Sequence, residues 1–359
     1  MVFRHVFRAQ WTKTQAAKLQ CIMVKIPHAG VSKSGDIQAS DMIQTMKQNL
    51  EVMNQIYKNF SSLVEDDWQH RRFGNDYLVL ELLVENELIK WVLAVPGEHL
   101  EAVEQSIGGF YPGAVIDRID QPSLLSTGKY ASGATFSYAK ESAYPLKTYD
   151  VFEADPMESI LSACSRLSID ESLSIQWYVA PVGPKVAKHV SGRIEELLDE
   201  TKKKGFFGRL MQFLIKGDDT KEEKKLITGQ KQSDMEQKKE DEYFAVSIRA
   251  LAVAPSKSRA DHIVTDLGKT FSQYTYQGMN SIKTSMVSDD VLDTYMRNFV
   301  RKDMLPHDVS FWSSRMYDVM STKELSSLYH FPHWRFNRNP RIKWQKFKII
   351  PAPDNIPRE

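Results

Sequence analysis

No stretch of this chain stays apolar over the ~18 residues that a membrane-spanning helix requires, so a transmembrane bundle is not expected. Cysteine is scarce. Cys21 and Cys164 are the two present, too few for a disulfide-framed secreted fold, and they read as buried thiols in a reducing compartment or as one pair. A surplus of charge is also missing. Against 47 basic residues stand 46 acidic ones, a net charge of +1, so any pull toward nucleic acid must come from local patches. Residues 1–18 carry Arg4, Arg8, Lys13 and Lys18 without the apolar core of a secretory leader. The cytoplasm, extending to the inner face of the membrane, is the expected location.

Catalytic fingerprints are absent as well. Gly268-Lys269-Thr270 ends like a phosphate-cradling loop, but that loop needs a glycine where Ile263 stands, and the triplet sits in a helical pattern. The nine histidines form no metal motif. His330 and His333 flank Phe331-Pro332 with no cysteine or acid at ligand spacing and read as an aromatic turn. His99 and His262 lie near helices with no obvious partner in sequence. Cys164 has no histidine close by and reads as structural. No catalytic, cofactor-binding or metal-binding residue is expected, and the chain reads as a non-enzyme.

What is present is a folded composition and a repeat. With 359 residues and 42% hydrophobic content, two or three domains with real cores are expected. A short apolar strand over 19–26 precedes a helix over 39–63, where Met42, Ile43, Met46, Leu50, Met53, Ile56, Tyr57 and Phe60 keep helical spacing. Strands over 77–84 and 89–95 form a hairpin, followed by a helix over 98–110 and a strand over 114–119. This β-α-β-β-α-β order is the ferredoxin-like plan. It recurs: strand-like pieces over 135–149, a helix opened by Asp155-Pro156, a strand over 173–179, another over 243–254, a helix over 256–274 and a strand over 281–287. Trp91-Val-Leu-Ala-Val-Pro96 and Arg249-Ala-Leu-Ala-Val-Ala-Pro255 close corresponding strands before corresponding helices. The fold class is therefore α+β with two tandem ferredoxin-like domains, over 19–130 and 131–287, after a basic segment 1–18.

The second unit is interrupted over 183–241. A charged helix pattern over 190–204 leads to a compact basic and apolar stretch, and 216–241 is polar enough to read as a loop. Three readings of the stretch stand. Phe206, Phe207, Leu210, Met211, Phe213 and Leu214 form a partner-docking helix, a membrane-surface helix, or a plain packing element.

Beyond 288 the chain is helical again over 288–334, with Val291, Leu292, Tyr295, Phe299 and Val300 on one face and a break at Pro306. A second helical stretch over 312–319 leads to Ser321-Thr-Lys-Glu324, a capping-box pattern that places a short helix over 322–329. The tail, 335–359, is extended. Arg335, Arg338, Arg341, Lys343, Lys346 and Lys348 interleave with Trp334, Phe336, Trp344 and Phe347, with no acid from 335 to 348. Cations alternating with stacking surfaces suit single-stranded nucleic acid. The competing reading is a packed connector with a solvated basic edge.

The order of these pieces resembles the non-catalytic N-terminal region of conjugation-type, VirB/VirD-like and HerA/FtsK-like DNA-translocating ATPases. The residues that carry the resemblance are the first unit to Ile119, Tyr144-Pro-Leu-Lys-Thr-Tyr149 before Asp155-Pro-Met-Glu-Ser-Ile-Leu161, Ser174-Ile-Gln-Trp-Tyr178, 321–333, and Asn339-Pro-Arg-Ile-Lys-Trp344. In such proteins a P-loop motor comes next, and this sequence carries none. The resemblance implies a scaffold that works with a motor chain or with secretion and conjugation subunits, with self-association, single-stranded DNA and peripheral membrane contact as further expected partners.

Overall fold

The computed structural model describes residues 11, 13–28, 39–62, 75–122, 124, 130–214, 229–303 and 317–345, with backbone alone at 39–40 and 201–214. Short, largely apolar runs build one continuous antiparallel sheet from nine strands: β1 (Leu19–Lys25), β2 (Leu78–Glu85), β3 (Leu88–Pro96), β4 (Val115–Ile119), β5 (Tyr130–Tyr138), β6 (Ser172–Pro181), β7 (Tyr243–Ala254), β8 (Ile282–Met286) and β9 (Asp318–Ser321). Their order is β4-β1-β3-β2-β6-β7-β5-β8, and β9 adds to one end of β7. The protein is thus mixed α+β with a single sheet.

Within that sheet the halves repeat each other. Counted by chain order inside each half, the strands run 4-1-3-2 from both outer edges, and they meet where β2 pairs antiparallel with β6. Every one of the ten residues of β6 is buried, because it is a central strand with a neighbour on each side and cover on both faces. The tight turn between β2 and β3 places Asn86 and Glu87 at φ 50° and 60°, the left-handed pair of a two-residue hairpin.

One sheet face carries most of the helices: α1 (Ala39–Ser61), α2 (Leu100–Phe110), α3 (Glu158–Cys164), α6 (Lys257–Thr270) and α8 (Thr322–Leu328). Their apolar stripes meet Leu80, Leu82, Trp91, Ile175, Trp177, Ile248 and Ala250 in one cluster. The insert supplies α4 (Pro184–Leu214) and α5 (Gln230–Glu240), which pack on each other and on Tyr243 and Val319. The opposite face takes α7 (Asp289–Val300), whose Tyr295 and Phe299 sit on Val79, Tyr178 and Leu251. Gly133 on β5 allows this approach: a Cβ there would lie 2.5 Å from a Tyr295 ring carbon.

Several expectations need correcting. Part of the polar stretch read as a loop, 230–240, is helix α5, because buried Met235 and Lys238 tie it to the body. Strand β5 ends at Tyr138, where Asp318 accepts the Tyr138 backbone N–H at 2.7 Å. Residues 318–321, read partly as helix, form β9, since β7 offers a free edge beyond the end of β5. Pro306 and the rest of 304–316 lie outside the described residues. The capping box at Ser321 and Glu324 is formed as expected. Gly268, Lys269 and Thr270 lie within α6 and form no phosphate loop.

Candidate functional site

The stretch from Tyr329 to Gln345 lies across the helical face as an arm, and its seating is decided by a buried polar knot. Pro156, followed by Met157, puts Asp155 just ahead of α3, where its Oδ1 accepts the Met157 N–H at 2.8 Å. The same oxygen stands 3.0 Å from His330 Nε2, while His330 Nδ1 stands 2.9 Å from the Ser326 carbonyl oxygen. Both ring nitrogens therefore face oxygen atoms of the protein. Asn337 donates to Asp155 Oδ2 at 3.0 Å. His330 and Asn337 are each 1% exposed. Burial pushes the Asp155 carboxyl up, but the His330 charge and the bonds from His330, Met157 and Asn337 outweigh it and hold the carboxyl below its ordinary range. Glu158, half-buried beside it, is pushed up by burial and by the Asp155 charge.

Backbone groups extend the attachment. Trp91 Nε1 donates to the His330 carbonyl at 2.9 Å and Tyr57 Oη to that of Tyr329 at 2.9 Å. Farther on, Ile89 N donates to Arg341 O at 2.7 Å, Lys343 N to Ile89 O at 2.9 Å, and Gln345 N to Ile26 O at 3.0 Å. Ile342 is buried, and Trp344 packs half-buried on the core with its edge toward His28.

The expected contact residues therefore divide. Arg341 is turned inward to the Leu167 carbonyl and to Glu87 at 3.1 Å. Trp344 and Lys343 are half-buried, Arg338 is exposed, and Arg335 lies over the Trp334 ring at 5.2 Å. Lys346 and Lys348 lie outside the described residues. For Phe206, Phe207, Leu210, Met211, Phe213 and Leu214 the backbone is helical within α4, and their side chains lie outside the described residues. No helix among the described residues is long and apolar enough to cross a membrane.

Sequence reading missed Asp155 as the partner of His330, because the two meet only through the fold. It also missed a second buried polar set on the opposite face. Glu81, Gln176 and Arg249 stand in one cross-strand row over β2, β6 and β7. Glu81 accepts from Ser174 at 2.5 Å and from Gln176 at 3.2 Å, and is capped by Lys302. Arg249 is fully buried over the Tyr178 ring, 3.9 Å from its centre. Cys164 is wholly buried, and that burial pushes its thiol up to about 12, the mark of an inert thiol. Among the described residues one group has the makings of a metal site, Asp76, Glu98 and His99.

Fold and site together describe an α+β protein with two buried polar sets, one joining the arm to α3 and the other spanning β2, β6 and β7. The chain belongs to the family described as a domain of unknown function (DUF8128), which it matches over residues 40–345. No curated protein matches the chain.

Proposed function

We propose that this protein is a non-enzymatic assembly domain, made of two ferredoxin-like units that share one sheet, and that it serves a DNA-translocating ATPase of conjugation or type IV secretion type. The carrying observation is the seated arm. Its buried knot and its backbone bonds to β3 and to Ile26 hold 329–345 in one fixed path, which suits a rigid joint that positions a partner. The 4-1-3-2 strand order of both halves supports the tandem reading. The link to a motor rests on the resemblance of 321–333 and 339–344 to the motor-proximal region of those ATPases.

The test is purification of the tagged full-length chain from its own cells, with the co-purifying proteins identified. A P-loop ATPase or secretion subunit recovered with the chain, and reduced by Trp334→Ala with Arg338→Ala, supports the reading. Recovery of the chain alone after mild cross-linking counts against it.

A second reading, a single-stranded nucleic-acid contact, is favoured by one observation: Arg335 stacks on Trp334 beside the exposed Arg338. Stacked cation and aromatic surfaces bind bases in a salt-dependent way. Fluorescence anisotropy with an oligothymidine separates the two readings. Binding that weakens with salt and with Arg335→Ala plus Arg338→Ala favours the second, and no binding at low salt removes it.

A further inference from the structure

The two halves of the sheet close the same joint with different chemistry. In each half an acidic residue stands within two residues of the start of the second strand, close to where the third strand passes into the second helix. In the second half the acid is Glu171, before β6, and Arg259 stands beside it in the first turn of α6. They form a two-pronged pair at 2.6 and 2.9 Å, so the buried carboxylate is matched by a guanidinium. In the first half the acid is Asp76, before β2, and the turn is Gly97-Glu98-His99, before α2. No arginine is present in that turn. Asp76, Glu98 and His99 instead bring two carboxylates and an imidazole together, each offering a ligand atom within 4.8 Å of the others.

We propose that Asp76, Glu98 and His99 bind one divalent transition-metal ion, with zinc the best match. The donor set decides the class. An imidazole beside two carboxylates suits zinc and its neighbours, whereas calcium and magnesium prefer oxygen alone and copper(I) prefers sulfur. The segment that carries the buried ligand is anchored before any ion arrives. Asn75 donates to the Pro181 carbonyl at 2.7 Å and pins the segment that carries Asp76. Asp76 is 4% exposed, and its Oδ2 stands 3.7 Å from His99 Nε2. Glu98 reaches the site from the surface, where Lys18 stands 3.4 Å away with both side chains 45% exposed. An exposed pair of that kind contributes little. A divalent ion supplies at this joint the positive charge that Arg259 supplies at the other, and three protein ligands leave a fourth position for water.

The experiment uses the full-length protein, stripped with a chelator, dialysed and titrated with Zn²⁺, with metal content counted after gel filtration. The expected result is one equivalent of zinc per chain and a thermal midpoint that rises with zinc and falls back with chelator. Co²⁺ in place of zinc gives a visible absorption band from a low-symmetry site. His99→Ala and the surface change Glu98→Gln each weaken zinc binding about tenfold or more, since even residues behind the ligands cost that much. Glu171→Gln, at the corresponding joint of the second half, leaves uptake unchanged. Absence of uptake at tens of micromolar zinc overturns the proposal, as does uptake that Glu98→Gln and His99→Ala leave untouched. Glu98→Gln alters an exposed side chain, so its result does not depend on whether the more buried variants fold.

Discussion

Asp155 and His330 are 175 residues apart in the chain and 3.0 Å apart in the fold. That contact joins the start of α3 to the arm that follows α8, and Asn337 completes it from farther along the same arm. A buried imidazole and carboxylate with hydrogen-bond partners on every side hold one geometry firmly, and each becomes costly once its partner is removed.

Replacing His330 by alanine leaves Asp155 buried without its main countercharge. The expected loss is about 3–5 kcal/mol of unfolding free energy, read from urea denaturation. Asp155→Asn with His330→Gln keeps hydrogen bonds without charge and recovers a substantial part. An equal loss in the single and the double variant would show that the knot contributes by packing alone.

The same pair sets an acid limit. The folded Asp155 carboxyl lies below its ordinary value, so its contribution is complete above the unfolded value of about 3.9 and is lost as pH falls from there through the lower folded value. Stability measured from pH 6 down to 2 should drop in that window, and Asp155→Asn should flatten the drop. Amide exchange over 330–345 should quicken first.

On the other face, Lys302 caps Glu81 in a pair that is almost wholly buried. Lys302→Met is expected to cost about 3–5 kcal/mol by leaving Glu81 uncompensated, and adding Glu81→Gln should restore most of it. A double-mutant cycle by urea unfolding checks this. Additive losses would mean that the two residues do not act as a pair.

Gly133→Ala tests the seat of α7. The new methyl group would meet Tyr295, whose hydroxyl lies 2.8 and 2.9 Å from the carbonyl oxygens of Ala134 and Ala250. Overpacking of this sort costs about 1–3 kcal/mol. The expected signature is a lower thermal midpoint with faster exchange in 289–300, and an unchanged midpoint would show that the helix shifts freely.

Lys238 holds α5 through Glu324, with Nζ 2.9 Å from the carboxylate. Glu324 also accepts the Leu146 N–H at 2.8 Å and the Ser321 N–H at 2.9 Å. Lys238→Met should loosen α5 while α8 keeps its cap, so exchange protection falls in 230–240 and persists in 322–328. Parallel loss in both segments would show that the two helices open as one unit.

Local rules made much of this fold legible. Helical spacing located α1, short apolar runs located β1 to β3 and β7, and Ser321 with Glu324 announced α8, because each signal lies within a few residues of its consequence. The helix at 230–240 was not legible. Its polar sequence buries only Met235 and Lys238, and what fixes it is an ion pair to Glu324 from a distant part of the chain.

The charge row followed the same rule. A glutamate, a glutamine and an arginine in three separate strands look unrelated until the register of β2, β6 and β7 sets them side by side. His99 had no visible partner, since Asp76 reaches it across the ends of β2 and β3. Sequence by itself determined many of the segments that become helix or strand, because periodicity and capping act over one or two turns of chain. Tertiary structure alone decided that the two patterns share one sheet, that the arm folds back onto it, and which buried charges meet. Those outcomes depend on contacts between residues well separated in the chain, 86 positions for Lys238 and Glu324 and 221 for Glu81 and Lys302, and local sequence carries no record of them.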